Sequence, residues 1–506
     1  MTIHLSIILW LPAVAGLLAL LLPGRFARWI SLLGSLLVLA YAITLLVDYD
    51  RAAGGLQYVT DIVWIRSLGI HYALGISGLN LVLLATTAVI FTASAIWTLV
   101  DEPDHGKPGI YALLMGLAQT AVMGAFLAQD LILFVVFFDL MLVPFYFLIV
   151  IWGGPDRTSA VLKLFMYTLV GSLLMLVGAI TTGVLAANGG EPSFLLADLA
   201  KTPLGSTAQG WIFLAFALAF LIKMPSFPFH GWMPDGYSNM PIGVLAVFTA
   251  ILSKVAAYGF LQIALPLFPD AAVRYQELIM IVAVASILYG SAMAFTVDSA
   301  RLVLGYSSIA QLGFIVLGIF AFDGRGADGA LLQATNHAIV AGALIFVVAM
   351  LARRAGGSEK LSDMGGIAKG APAFAAVFLV FSFALLAMPG TANFVAEFMI
   401  LLGTFESKMV FAFIAAIGVA LAAFYALRLY ISAMHHRLGA KVNSFELTLR
   451  EGLVLVPLML VVIALALYPQ FALKPAQDGT SKAISAAQQV QSSGDDTNAT
   501  TGGATP

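Results

Sequence analysis

The sequence predicts an all-α polytopic membrane protein with about 14 transmembrane helices. Three observations carry this. Of 506 residues, 61% are hydrophobic and only 10% are charged, against about 25% charged in a soluble protein. So few charges cannot solvate the surface of so long a chain, and the remaining solvent is lipid. Apolar runs near the ~20 residues a span needs recur at 3–22, 29–47, 79–99, 109–128, 130–151, 161–186, 209–227, 241–264, 275–295, 300–321, 329–352, 374–404, 409–431 and 451–470. The 24 Lys and Arg, 26 Asp and Glu and 7 His fall nearly all between these runs or at their ends.

The first run is too long, and too poor in small cleavage-site residues after it, for a removed signal peptide. The connections then set an orientation. Those after odd-numbered runs hold Arg25, Arg28, Lys107, Arg157, Arg301, Arg353, Arg354, Lys360, Lys369, Arg437, Lys441 and Arg450. Those after even-numbered runs hold only Arg51, Arg66, Lys201, Arg274, Arg325 and Lys408. The richer side should face the cytoplasm, with both chain ends outside. The residues from about 476 to 506 are mostly Ser, Gly, Thr, Asp, Gln and Ala, which predicts a disordered tail.

Other function classes fall away. A net charge of −2 without a basic patch offers nothing to nucleic acid. The absence of Cys rules out disulfides, thiolate metal sites and iron–sulfur clusters on this chain. No metal site is expected, and any redox chemistry belongs on another subunit or on a cofactor held without Cys.

The chain repeats itself. Residues 217–225 (ALAFLIKMP) resemble 381–389 (FSFALLAMP), each ending in a proline, Pro225 and Pro389. Proline removes a backbone donor and breaks a helix. In lipid, broken backbone survives only inside protein or beside a water-filled cavity. Paired breaks in the two halves of a transporter point to the transport path; two ordinary proline kinks are the plainer alternative.

Few ionisable residues lie inside the runs: Asp139, Lys163, Lys223, Lys254, His337 and Glu397. Each costs at least a few kcal/mol at bilayer depth, so each is a functional candidate. Asp139 lies mid-run in FFDLMLVP, where a nearby lysine would compensate its charge. Lys223 immediately precedes the first break. Lys254, in ILSKVAAYGF, is too deep to reach water easily, whereas Lys163, near a run's start, is as readily a snorkelling lysine as a functional one. His337 has the one side-chain type that titrates near physiological pH unperturbed. Glu397 follows the second break. A row of protonatable groups can pass protons along bound water, each charge shifting its neighbour's affinity.

At these residues a resemblance emerges. FFDLMLVPFYFLIVIWGG (137–154), KMPSFPFHGWMPDGYSNMP (223–241), YSSIAQLGF (306–314), NHAIVAGALIF (336–346) and MPGTANFVAEFMILLG (388–403) resemble the antiporter-like subunits of respiratory complex I, the NADH:quinone oxidoreductase, within the Mrp antiporter superfamily. PGTANFVAEFM is most similar to the M-type branch of the bacterial enzyme. The sequence shows no long helical C-terminal extension of the kind that marks the L-type branch.

The resemblance implies helices 1–3 over 1–108, two inverted five-helix repeats over 109–264 and 265–431 with their seventh and twelfth helices broken, and a last helix within 432–475. It implies a proton relay in which Asp139 pairs with Lys223, Lys254 is the central lysine, His337 an intermediate station and Glu397 the terminal acid. His230 and Gln311 lie in its motifs as possible participants beside Lys163. NADH, FMN, iron–sulfur clusters and quinone would sit on other subunits, L-type and N-type chains would be neighbours, and the location would be a bacterial inner membrane. Three departures stand out: Asp139 where the family usually has Glu, Gln311 where it often has His, and Gly236, Tyr237 and Asn239 in a stretch that usually reads Ala-His-Ser-Gln. A cation/proton antiporter subunit of Mrp type, or a spacer that no longer pumps, are the alternatives.

Overall fold

The computed structural model describes residues 4–101 and 106–501, with side chains to 493; residue 3 of the first run and residues 502–506 of the tail lie outside it. Helix α1 (Leu5–Leu21) and helix α2 (Gly24–Asp48) are followed by an antiparallel hairpin, β1 (Gln57–Ile65) and β2 (Ile70–Ile76). The apolar series continues with α3 (Gly78–Trp97), α4 (Pro108–Leu127), α5 (Leu131–Trp152), α6 (Arg157–Ala186), α7 (Ser206–Lys223), α8 (Ile242–Leu267), α9 (Gln276–Thr296), α10 (Ala300–Phe320) and α11 (Gly324–Arg354). It ends with α12 (Pro372–Leu385), α13 (Ala392–Met434), α14 (Leu449–Leu467) and α15 (Gln470–Thr501).

Among the described residues, 12 helices are long and apolar enough to cross a membrane, and α1 and α12 are shorter apolar helices. Helix α13 is two helical stretches that meet at Lys408, whose backbone is not helical. Helices α8 and α11 form the centre, their apolar windows wholly buried, while α2 and α14 lie on the outside with only 28% of theirs buried. An all-round apolar helix can be buried on every side, and that position is what brings α8 and α11 together.

Two features depart from the sequence expectation. The fold is not purely α: QYVTDIVWI forms a strand paired with 70–76. β-Branched and aromatic residues suit a pleated surface, but a search for apolar spans passes over so short a segment. The hairpin is held from below by Asp130, which accepts from the His71 backbone N–H at 3.0 Å while capping α5 through Ile132 and Leu133.

The second departure is the tail. Residues expected to be disordered form α15, a 32-residue helix. Its Ala476, Thr480, Ala483, Ile484 and Ala487 are buried at helical spacing, against α3, α8 and the start of α11. The Thr480 hydroxyl bonds Asp328, Gln488 donates to the Phe322 carbonyl at 2.8 Å, and Gln491 donates to Gln276 at 3.2 Å. Alanine is the best helix former, and its small side chain permits close packing. A composition rich in Ala, Ser and Gln concealed that face.

Both proline positions follow a helix end. Pro225 cannot donate to Leu221, whose carbonyl instead accepts from Ser226 at 3.0 Å. The Ile222 carbonyl is then met by the Trp232 indole N–H at 3.0 Å, and the Phe227 N–H donates to Ser286 on α9 at 2.9 Å. At the second position α12 stops at Leu385. Met388 reaches back to the Phe383 carbonyl at 3.0 Å, Ala387 takes a positive φ of 52°, and Thr391 caps α13. Each freed carbonyl or amide named here therefore has a protein partner, as hydrocarbon requires.

A charged contact pins α14 to α11. Arg354 and Glu451 are both fully buried and pair at 3.0 Å. The guanidinium also donates to the Met350, Phe445 and Glu446 carbonyls and lies over the Phe374 and Phe445 rings at 4.3 and 4.2 Å. Removing one partner of such a pair leaves an uncompensated buried charge. Glu451→Gln should therefore cost about 3–5 kcal/mol, read as earlier unfolding of the detergent-solubilised protein. Replacing both residues, Arg354→Met with Glu451→Leu, should recover most of that loss.

Candidate functional site

The deepest ionisable contact joins the two central helices. Lys254, on α8, and His337, on α11, are fully buried, and Lys254 Nζ lies 2.8 Å from His337 Nδ1. At that separation in a dry interior two full positive charges would repel strongly, so charge on one of the two bears directly on the other. Lys254 also donates to the Thr249 carbonyl at 3.0 Å. That carbonyl belongs to a π-helical turn, Phe248–Leu252, and a second such turn, Phe260–Ala264, follows Lys254. Widened turns of this kind cluster at functional sites. Here the widened turn presents a main-chain carbonyl to the lysine ammonium.

A hydroxyl chain reaches the same turn. Tyr237 donates to Thr249 Oγ1 at 2.9 Å, and Thr249 Oγ1 lies 3.4 Å from Ser308 Oγ. Tyr237 is part of the short helix Met233–Asn239 after the first break. Arg301 holds that segment by donating to the carbonyls of Tyr237 and Met240 at 3.1 and 2.8 Å. Tyr237 thus links the broken segment to the turn that receives Lys254.

On the far side of His337, Gln333 lies four residues back along α11 and so on the same helix face. Gln333 Nε2 donates to Gln311 Oε1 at 2.5 Å and approaches Glu397 Oε1 at 3.3 Å. Glu397 is buried on α13, and Tyr425 stands beside both Glu397 and Gln311. His337 Nε2, Glu397 Oε2 and both amide atoms of Asn336 are buried without a protein partner. Buried polar groups are ordinarily satisfied. Groups of this kind are ones that bound water can satisfy.

Lys223 occupies the end of α7. Its ammonium donates to the Phe138 carbonyl at 2.9 Å and sits 3.9 Å from the centre of the Phe138 ring. Asp139, the next residue, makes no ion pair with it within 4 Å among the described residues, and Asp139 Oδ1 is buried without a partner. The acid and the lysine are thus brought to the same place but not into contact. Phe138 packs on Phe220 at 5.8 Å, and Phe220 on Phe260 of α8 at 5.0 Å. This aromatic stack lies between the Lys223 helix and the helix of Lys254.

Lys163 goes elsewhere, pairing with Asp235 at 2.8 Å where both are largely exposed. His230 is half-buried, with its ring 4.6 Å from that of Tyr289 and its Nδ1 unpartnered. Gln333, Thr249 and Phe138 carry no charge to mark them out within their apolar runs. An amide four residues from His337 inside an apolar run was the available signal.

Residues 128–424 match the family model described as NADH:quinone oxidoreductase/Mrp antiporter, TM. NADH-quinone oxidoreductase subunit M of Rhodobacter capsulatus is 34% identical, over 92% of this chain and 93% of that protein. A chain of respiratory complex I from Thermus thermophilus superposes with a TM-score of 0.87 at 30% identity, covering 96% of this chain and all of that one. A chain of the Mrp complex from Dietzia shares the fold, with a TM-score of 0.82 at 21% identity, over 96% of this chain and 99% of that one. The chain belongs to the NADH:quinone oxidoreductase/Mrp antiporter transmembrane family, on the side of its subunit M relatives.

Proposed function

We propose that this chain is a proton-translocating membrane-arm subunit of an NADH:quinone oxidoreductase. The observation that carries the reading is the 2.8 Å contact of Lys254 and His337 between two wholly buried helices. Acid–lysine and amide–acid clusters stand on either side of it. NADH, FMN, iron–sulfur clusters and quinone belong on other subunits, with L-type and N-type chains as neighbours. The bacterial inner membrane holds the chain, its hairpin and both ends outside.

The chemistry is charge displacement. When the Asp139 carboxylate turns toward Lys223 it favours the ammonium; when it turns away, Lys223 gives up its proton more readily. A proton reaching Lys254 raises the charge beside His337 and drives it onward. The amides of Gln311 and Gln333 cannot hold charge, so the step to Glu397 runs along water that they orient. A spacer role is disfavoured because Lys223, Lys254, His337 and Glu397 are all buried ionisable groups, which a chain that only packs has no reason to carry at bilayer depth. An Mrp-type antiporter shares the fold but not the closer likeness to subunit M.

The test is NADH-driven acidification in inverted membrane vesicles, with a quinone-site inhibitor as control. Lys223→Ala should abolish inhibitor-sensitive acidification while the complex still assembles. Unchanged acidification and NADH oxidation would contradict the reading and direct attention to cation exchange. In the same assay Asp139→Glu should pump normally. Asp139→Asn should slow pumping about tenfold or more, one factor of ten being ~1.4 kcal/mol of barrier. Normal pumping by Asp139→Asn would remove the Asp139–Lys223 pair from the mechanism.

A further inference from the structure

The outer wall of the bundle contains a deep apolar groove that the relay does not use. Helices α2, α3, α11 and α14 and the start of α15 line it, with a volume of about 380 Å³. Its floor includes Thr335 and Ile339, which flank His337 along α11, and its side is a stripe of α14 through Leu453, Pro457, Val461 and Leu465. The three threonines on the groove turn their hydroxyls away from a ligand. Thr86 donates to Val82, Thr335 to Leu331 and Thr92 to Ser35, all to main-chain carbonyls. Nothing polar is left to recognise a head group inside the groove, so its occupant there is hydrocarbon.

Shape narrows this further. Leu453 to Leu465 spans ~18 Å of helix, close to the ~15 Å of one leaflet of a ~30 Å hydrocarbon core. An alkyl chain, little wider than the ~4 Å contact distance between carbon atoms, fits such a groove. One turn before Leu453, on the same stripe, the exposed Arg450 donates through Nη1 to the Leu99 carbonyl beyond the end of α3 at 3.1 Å. It thereby joins the two walls at the mouth. That bond uses one of five guanidinium donors, and the fork suits phosphate.

We propose that this groove is a phospholipid site, taking an acyl chain along α14 with an anionic head group at Arg450. The chain would also keep water away from the back of the helix that carries His337. This assignment is independent of the pumping assays above.

The experiment uses the assembled complex in phosphatidylcholine vesicles. These are doped with either a phosphatidylglycerol or a phosphatidylcholine probe bearing the same photoactivatable diazirine acyl chain. After illumination, adducts are mapped by mass spectrometry. Residues 82–96 and 453–465 should be labelled above the lipid-facing surface of α6, and more strongly by the anionic probe. Ala93→Phe, which fills the groove, should lower that labelling to the α6 level. Arg450→Ala should equalise the two probes without disturbing α14 itself, and so remains informative if Ala93→Phe fails to assemble. Labelling no higher than on α6, equal labelling by both probes in the native complex, or a neighbouring subunit's peptide filling the groove would overturn the proposal.

Discussion

A charge in hydrocarbon must be met by protein, and this requirement separates the buried ionisable groups of this chain into two kinds. Arg354 is saturated: carboxylate, three carbonyls and two aromatic faces surround its guanidinium. Such a group has one charge state and one geometry, and it holds α14 to α11. Lys254 and His337 are met only by each other and by one carbonyl, and the outer nitrogen of His337 has no partner. Under-satisfaction of a buried group is costly unless it changes protonation or bonds water. The helices are therefore held by the first kind of contact so that the second kind can vary.

The broken helices serve the same end. Each proline frees backbone groups at depth, and the chain spends specific residues to satisfy them: the Trp232 indole, the Ser286 hydroxyl and the Thr391 cap. The result is that Lys223 ends its helix, with its ammonium bonded to a carbonyl and packed on the Phe138 ring, and that Glu397 lies near the start of one. Between them, π-helical turns on α8 supply the carbonyl for Lys254. Irregular backbone thus accompanies Lys223, Lys254 and Glu397, and regular helix surrounds the residues that only pack.

Much of this was legible in the sequence. Apolar run lengths gave the spans, because hydrocarbon thickness fixes helix length. Isolated charges within those runs gave Asp139, Lys223, Lys254, His337 and Glu397, because nothing else in a span is so expensive. Which of them touch was not legible. The Lys254–His337 contact joins residues 83 apart in the chain, whereas Asp139 and Lys223, expected as partners, stop short of each other because the Phe138 carbonyl takes the ammonium. Lys163 belonged to the surface with Asp235. The neutral links Gln333 and Thr249 carry no charge to betray them. The C-terminal helix was hidden by polar composition, since its buried face is mainly alanine and becomes apolar only by spacing.

The central claim is that protons cross through the Lys254–His337 contact. Its most direct test is the number of protons moved per NADH oxidised by the complex carrying Lys254→Met, with oxidation driven through an uninhibited quinone site. The expected result is a normal amount of assembled complex and a lower ratio of protons to NADH. A ratio equal to that of the native complex would contradict the claim.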